Sequence, residues 1–163
     1  MKFEDAGKDD FVLEIASRYP ECKFVASHRS IEKTINSHFN IQAWGHSIDD
    51  VLFQYSACLT IYEELFALRR FYLIDVDRPA SFSLNAFTSF MGGSASEKTH
   101  AMVAGWMPVN DLAYQISKAG KGFNPNAVKV HPALKNLRQR HFWIDDAESR
   151  YQALIKGCNS AAA

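Results

Sequence analysis

The stretch Tyr72-Leu73-Ile74-Asp75-Val76-Asp77 ends a β-prone run in two carboxylates spaced two apart. On a strand, alternate residues face the same way, so such a pair can hold Mg²⁺ against a phosphate. That is the chemistry of a Mg²⁺-dependent phosphoryl-transfer or hydrolase enzyme at Asp75 and Asp77. No lysine-plus-acid set follows at a spacing that would complete the site, and Asp77-Arg78-Pro79 also reads as a turn. The histidines (His28, His38, His46, His100, His131, His141) form no HxH or HExxH pattern, and none has a cysteine at ligand spacing. His46 and Asp50 share a helix-entry face, but the sequence calls for no metal and no other cofactor. Gly92-Gly93-Ser94-Ala95-Ser96 departs from the G-x-S-x-G of a nucleophile elbow and reads as a helix start whose amides could meet an anion.

A second kind of chemistry is carried by charge. Between Leu112 and Ile144 there is no Asp or Glu, while Lys118, Lys121, Lys129, Lys135, Arg138 and Arg140 all fall there. Phe123, Phe142 and Trp143 interleave with them. Cations neutralise phosphates and aromatic faces stack bases, so this segment, 118–141, offers a nucleic-acid or anion surface. The whole chain, however, balances 18 basic against 18 acidic side chains. That balance weighs toward an ordinary solvated face, because nucleic-acid binders carry a basic excess.

Aromatic residues supply the third candidate. Tyr55, Tyr62, Phe66, Phe82, Phe87, Phe90, Trp106, Tyr114 and Trp143 are a large set to bury in a chain of 163 residues. Some fill a core. The remainder, with Tyr55, Tyr62, Trp106, Tyr114 and Trp143 as candidates, can form a partner or ligand surface or line an apolar pocket beside the central helix. Zero net charge removes colloidal repulsion near neutral pH, so a protein partner or a second copy, as in a homodimer, is expected.

These residues must be positioned by helices. From Ser47 to Arg70 the apolar residues Ile48, Val51, Leu52, Tyr55, Cys58, Leu59, Tyr62, Leu65 and Phe66 recur at alternating 3/4 spacing. A second line through Phe53, Ala57, Ile61 and Leu68 makes the helix apolar around most of its girth, so it belongs inside the domain. Ser47 caps its start, Asp49 and Asp50 complement the dipole there, and Arg69 and Arg70 complement the other end. Further helices are expected from Asp9 or Asp10 to Tyr19, from Ser30 to Phe39, and within 81–91. Others span 97–104 behind a Ser94–Glu97 capping box, 111–120, 133–142 after Pro132, and Asp145 to Lys156 with Gly157 just beyond. Short extended pieces at 23–26, 71–76 and 128–130 leave room for pairing.

The fold class is therefore mainly α, a single-domain bundle around one long buried helix at about 47–70, with α+β as the alternative if the strands pair. Residues 1–157 read as one helix-rich domain and 158–163 as a disordered tail or cloning scar. The N-terminal stretch is too acidic for a signal peptide. The central helix carries Gln54, Ser56, Thr60, Glu63 and Glu64, which makes bilayer insertion costly, so no membrane is expected. Three scattered cysteines (Cys22, Cys58, Cys158) suit a reducing, cytoplasmic setting. On function the sequence favours a small soluble binding or interaction protein without catalysis, self-associating through aromatic surface. Nucleic-acid binding and the Asp75/Asp77 enzyme are the alternatives.

Overall fold

In a computed structural model, the structure describes residues 9–41, 47–78, 81–104 and 132–160. The apolar stretch after Ser47 forms the central helix. Numbered in chain order, the helices are α1 (Asp9–Arg18), α2 (Ile31–Ile41), α3 (Ile48–Ala67), α4 (Leu84–Phe90), α5 (Glu97–Ala104), α6 (Leu137–Arg140) and α7 (Ile144–Ser160). Two strands, β1 (Phe24–His28) and β2 (Phe71–Asp75), complete the set. The fold is mostly helical with a two-stranded parallel sheet, as the mainly α or α+β reading expects.

Helix α3 opens on a capping box. The Ser47 hydroxyl accepts the Asp50 backbone N–H at 3.2 Å, and the Asp50 carboxylate accepts the Ser47 N–H at 2.8 Å. Val51, Leu52, Leu59, Ile61 and Leu65 are buried along it. Phe53, from the second apolar line, is instead 59% exposed, so one stripe of the helix meets solvent. The helix stops at Ala67, three residues short of the expected Arg70. Arg69 adopts φ +58°, and the N–H groups of Arg69 and Arg70 turn back to the carbonyls of Phe66 and Leu65. This is a Schellman-type stop with arginine where glycine is usual. Arg70 does not face the helix dipole. Its guanidinium donates to the carbonyls of Ala16, Tyr19 and Cys22, closing the end of α1.

The strands expected near 23–26 and 71–76 pair with each other in parallel, Phe24 opposite Phe71 through His28 opposite Asp75. A parallel pair needs a long crossover, and here α2 and α3 supply it. Strand β2 is buried along almost its whole length between β1, α3 and α7, whereas Val25 and Ser27 of β1 face outward. The main core joins Leu59, Leu65, Tyr72 and Leu73 to Tyr151, Leu154, Ile155 and Cys158 of α7. A smaller cluster joins Ile31 and Ile35 to Val51, Leu52, Leu137 and Ile144.

Three helix expectations need correction. The tail predicted from 158 begins too early, because α7 runs on to Ser160 with Cys158 buried. Gly157 lies inside that helix, where a Cβ would come within 2.6 Å of the Phe66 ring, so it serves close packing rather than termination. Asn159 is a clamp: its amide donates to Ser81 O at 2.9 Å, and its Oδ1 accepts from the Tyr72 hydroxyl at 2.7 Å and from Ser83 N–H at 3.1 Å. The helix expected after Pro132 divides into a 3-10 turn (Pro132–Leu134) and α6, because Asn136 between them takes φ +61°, a conformation asparagine tolerates. The cap of α5 is Ser96, whose hydroxyl accepts Thr99 N–H, while Gly92 (φ +87°) ends α4. The expected helix at 111–120 and strand at 128–130 lie outside the described residues. Among the described residues, no helix is long and apolar enough to cross a membrane.

Candidate functional site

Polar residues converge where both strands end. His28 closes β1 and Asp75 closes β2, and both are buried. Asp75 Oδ1 accepts the backbone N–H groups of Asp77 and Arg78 at 2.9 and 3.2 Å, and Oδ2 accepts Arg78 Nε at 2.8 Å. The residue thus folds the chain over the strand end. Asp77 reaches elsewhere: Oδ2 accepts Ser30 N–H at 2.9 Å, while Oδ1 meets Lys33 Nζ at 3.1 Å and Arg29 Nε at 3.5 Å. Burial alone would raise the Asp77 carboxyl, but the Ser30 amide, Lys33 and Arg29 outweigh it and hold it below the ordinary value. The strand ends at Asp75, so period-two geometry does not carry over to Asp77. The two carboxylates serve separate partners.

Glu148, from the first turns of α7, crosses to the start of α2. Its Oε1 accepts Ile31 N–H at 2.9 Å. With Asp77 on the Ser30 amide, two carboxylates thus sit at the positive end of α2, which the dipole and the free amides favour. Glu148 Oε2 lies 3.5 Å from His28 Nε2, and that nitrogen lies 3.2 Å from the Tyr55 hydroxyl. Burial pushes the Glu148 carboxyl up, yet the bonds from His28, Ile31 and Tyr55 prevail and hold it low. Tyr55 is driven well above the ordinary phenol range, by burial first and by Glu148 second. A carboxylate and a hydroxyl beside Nε2 fit the tautomer with its proton there. His28 Nδ1 is buried and has no partner among the described residues. The His28 ring packs on Tyr151 at 4.5 Å between centroids, and the Tyr151 hydroxyl donates to Tyr55 O at 2.6 Å.

In front of this network, between the end of β1, the start of α2 and the flank of α3, lies a cleft of about 240 Å³. Its walls include His28, Arg29, Ile31, Thr34, Val51 and Cys58, together with Tyr55, Tyr62 and Tyr151. In larger parallel sheets, the carboxyl ends of the strands are where ligands collect, since loops and helix starts there present polar groups. The three tyrosines carry rigid contact area, with Tyr55 and Tyr151 rings 4.6 Å apart. Among the described residues, no group of three or more His, Cys, Asp and Glu side chains is placed to hold a metal ion.

The residues singled out from sequence distribute as follows. Tyr55 and Tyr62 line the cleft, beside the central helix where an apolar pocket was expected. Trp143 is partly buried and packs against both core clusters. Trp106, Tyr114, Lys118, Lys121 and Lys129 lie outside the described residues. Lys135 is exposed, but the break at Asn136 separates it from Arg138, so the expected helical face is not continuous. Arg138 is held by Glu32 at 2.6 Å and by Asp145, and Arg140 is also engaged. Sequence reasoning missed the part played by Arg29 and Glu148, and saw His28 only as one scattered histidine. Glu148 and His28 stand 120 positions apart and form no motif.

Compared with known proteins, the chain matches no family model, and neither a curated protein nor a solved structure matches it.

Proposed function

We propose that the protein is a non-catalytic binding protein that takes one small organic molecule, of about single-ring size, into the cleft beside α3. The observation that carries this is the tyrosine-walled cleft at the carboxyl ends of the parallel strands. An apolar cavity of about 150 Å³ is enough for benzene. A cleft of about 240 Å³ therefore suits one ring with a short substituent. The surrounding carboxylates favour binding over catalysis: Asp75, Asp77 and Glu148 are each engaged by backbone amides and by cationic or ring partners. A ligand-observed NMR screen of single-ring compounds tests the reading. Thr34→Phe, which fills the cleft from the surface of α2, should abolish whatever binding is found while circular dichroism stays unchanged. If no such compound binds more tightly than about 1 mM, the reading is wrong.

Two features extend this reading to setting and assembly. The lack of a disulfide at Cys22, Cys58 and Cys158 supports a reducing, cytoplasmic environment. Phe53 and Phe142, 59% and 86% exposed, support self-association through apolar surface other than the residues expected from sequence. Sedimentation that finds a strict monomer at high concentration would sink the second of these.

A further inference from the structure

We infer that the molecule taken by the cleft is an aromatic monoanion, an arenecarboxylate or arylacetate, whose carboxylate meets Arg29 while its ring lies against the tyrosines. The inference rests on the small-molecule reading above and names the chemistry of the ligand. Among the described residues that line the cleft, Arg29 alone carries a formal charge, and no Asp or Glu is among them. Its side chain is 37% exposed. Its ion-pair partner Asp77 stands 3.5 Å from Nε, beyond ordinary hydrogen-bond reach. Asp77 is in any case bound already by the Ser30 amide and by Lys33. Arg29, Lys33 and Asp77 together carry one net positive charge. The planar guanidinium suits a carboxylate, to which it can give two parallel hydrogen bonds.

The interior of the cleft selects the other half of the ligand. Ile31 and Val51 give it apolar wall, and the phenol rings of Tyr55 and Tyr151 give flat surfaces against which another ring can stack or stand on edge. A cationic ligand would find no acid in the lining, and a neutral ring would leave Arg29 unused. Glu148 is not among the residues that line the cleft: it is bound to the start of α2 and engages His28 and Tyr55.

Titration calorimetry on the full chain, with benzoate and phenylacetate against benzamide and phenylacetamide, tests this. The carboxylates should bind about tenfold more tightly than the amides of the same shape, and added salt should narrow the gap. Arg29→Gln should bring the two classes within about twofold while leaving amide affinity unchanged, and Arg29→Lys should keep part of the preference. The comparison among ligands in the unaltered protein stands even if a variant folds poorly. Equal binding of amides and carboxylates would overturn the inference and leave the cleft reading intact. So would a preference that survives Arg29→Gln. Failure of all four compounds, with no effect of Thr34→Phe on any other single-ring ligand, would overturn both.

Discussion

Glu148 joins three parts of the chain with one carboxylate: the amide of Ile31 at the start of α2, the ring of His28 at the end of β1, and α7, on which it sits. Its side chain is 16% exposed, so its bonds are made largely out of water. Glu148→Gln should cost about 1–2 kcal/mol near neutral pH, the usual worth of a charge-assisted bond to a partly buried amide. The dependence on pH has a definite sign. The folded-state carboxyl titrates below the ordinary 4.5, so its stabilising contribution is complete above that value. It fades as the pH falls through the lower folded value. Urea unfolding of both proteins at about pH 7 and about pH 3 should show the gap narrow on the acid side. At Arg69 the expectation runs the other way. An exposed arginine at φ +58° bears a steric cost that glycine avoids, so Arg69→Gly should stabilise by about 0.5–1 kcal/mol in the same assay.

At the scale of elements, α3 and α7 are in contact where Gly157 meets the Phe66 ring. Gly157→Ala gains about 1 kcal/mol in helix propensity but overpacks against Phe66, for a net loss of about 1 kcal/mol. With Phe66→Leu in place the same change should instead stabilise, by about 0.5–1 kcal/mol, and a double-mutant cycle reads the difference. The helices themselves were legible because their signals are local. The 3/4 spacing and Ser47 placed the start of α3, and Pro20 bounded α1. What escaped were ends and partners set by distant residues. Nothing near Arg69 announces that Arg70 is drawn toward α1. Asn159 looked like part of a tail because its partners, Ser81, Ser83 and Tyr72, lie far back in the sequence. The site was half legible for the same reason. Tyr55 and Tyr62 belong to a periodic stripe, whereas Arg29, His28 and Glu148 meet only through the fold.

For the molecule as a whole, burial is uneven. Tyr72 and Leu73 of β2 are each about 99% removed from solvent, while most of α5 is exposed. Hydrogen exchange should find the amides of β2 slowest and those of α5 among the first of the helical amides to exchange, since local opening needs little energy where few apolar contacts break. Early exchange in β2 would mean that the parallel pair is peripheral to the stable unit. The position of α7 has one more consequence, and it concerns time. On the ribosome, β1, α2, α3 and β2 are all made before the helix that covers them, and roughly seventy residues separate Asp75 from Ile144. At about 5–20 residues per second, the apolar faces of α3 and β2 wait roughly 4–16 s for Tyr151, Leu154 and Ile155. During that interval, nascent chains without α7 should be held by chaperones that grip exposed apolar segments.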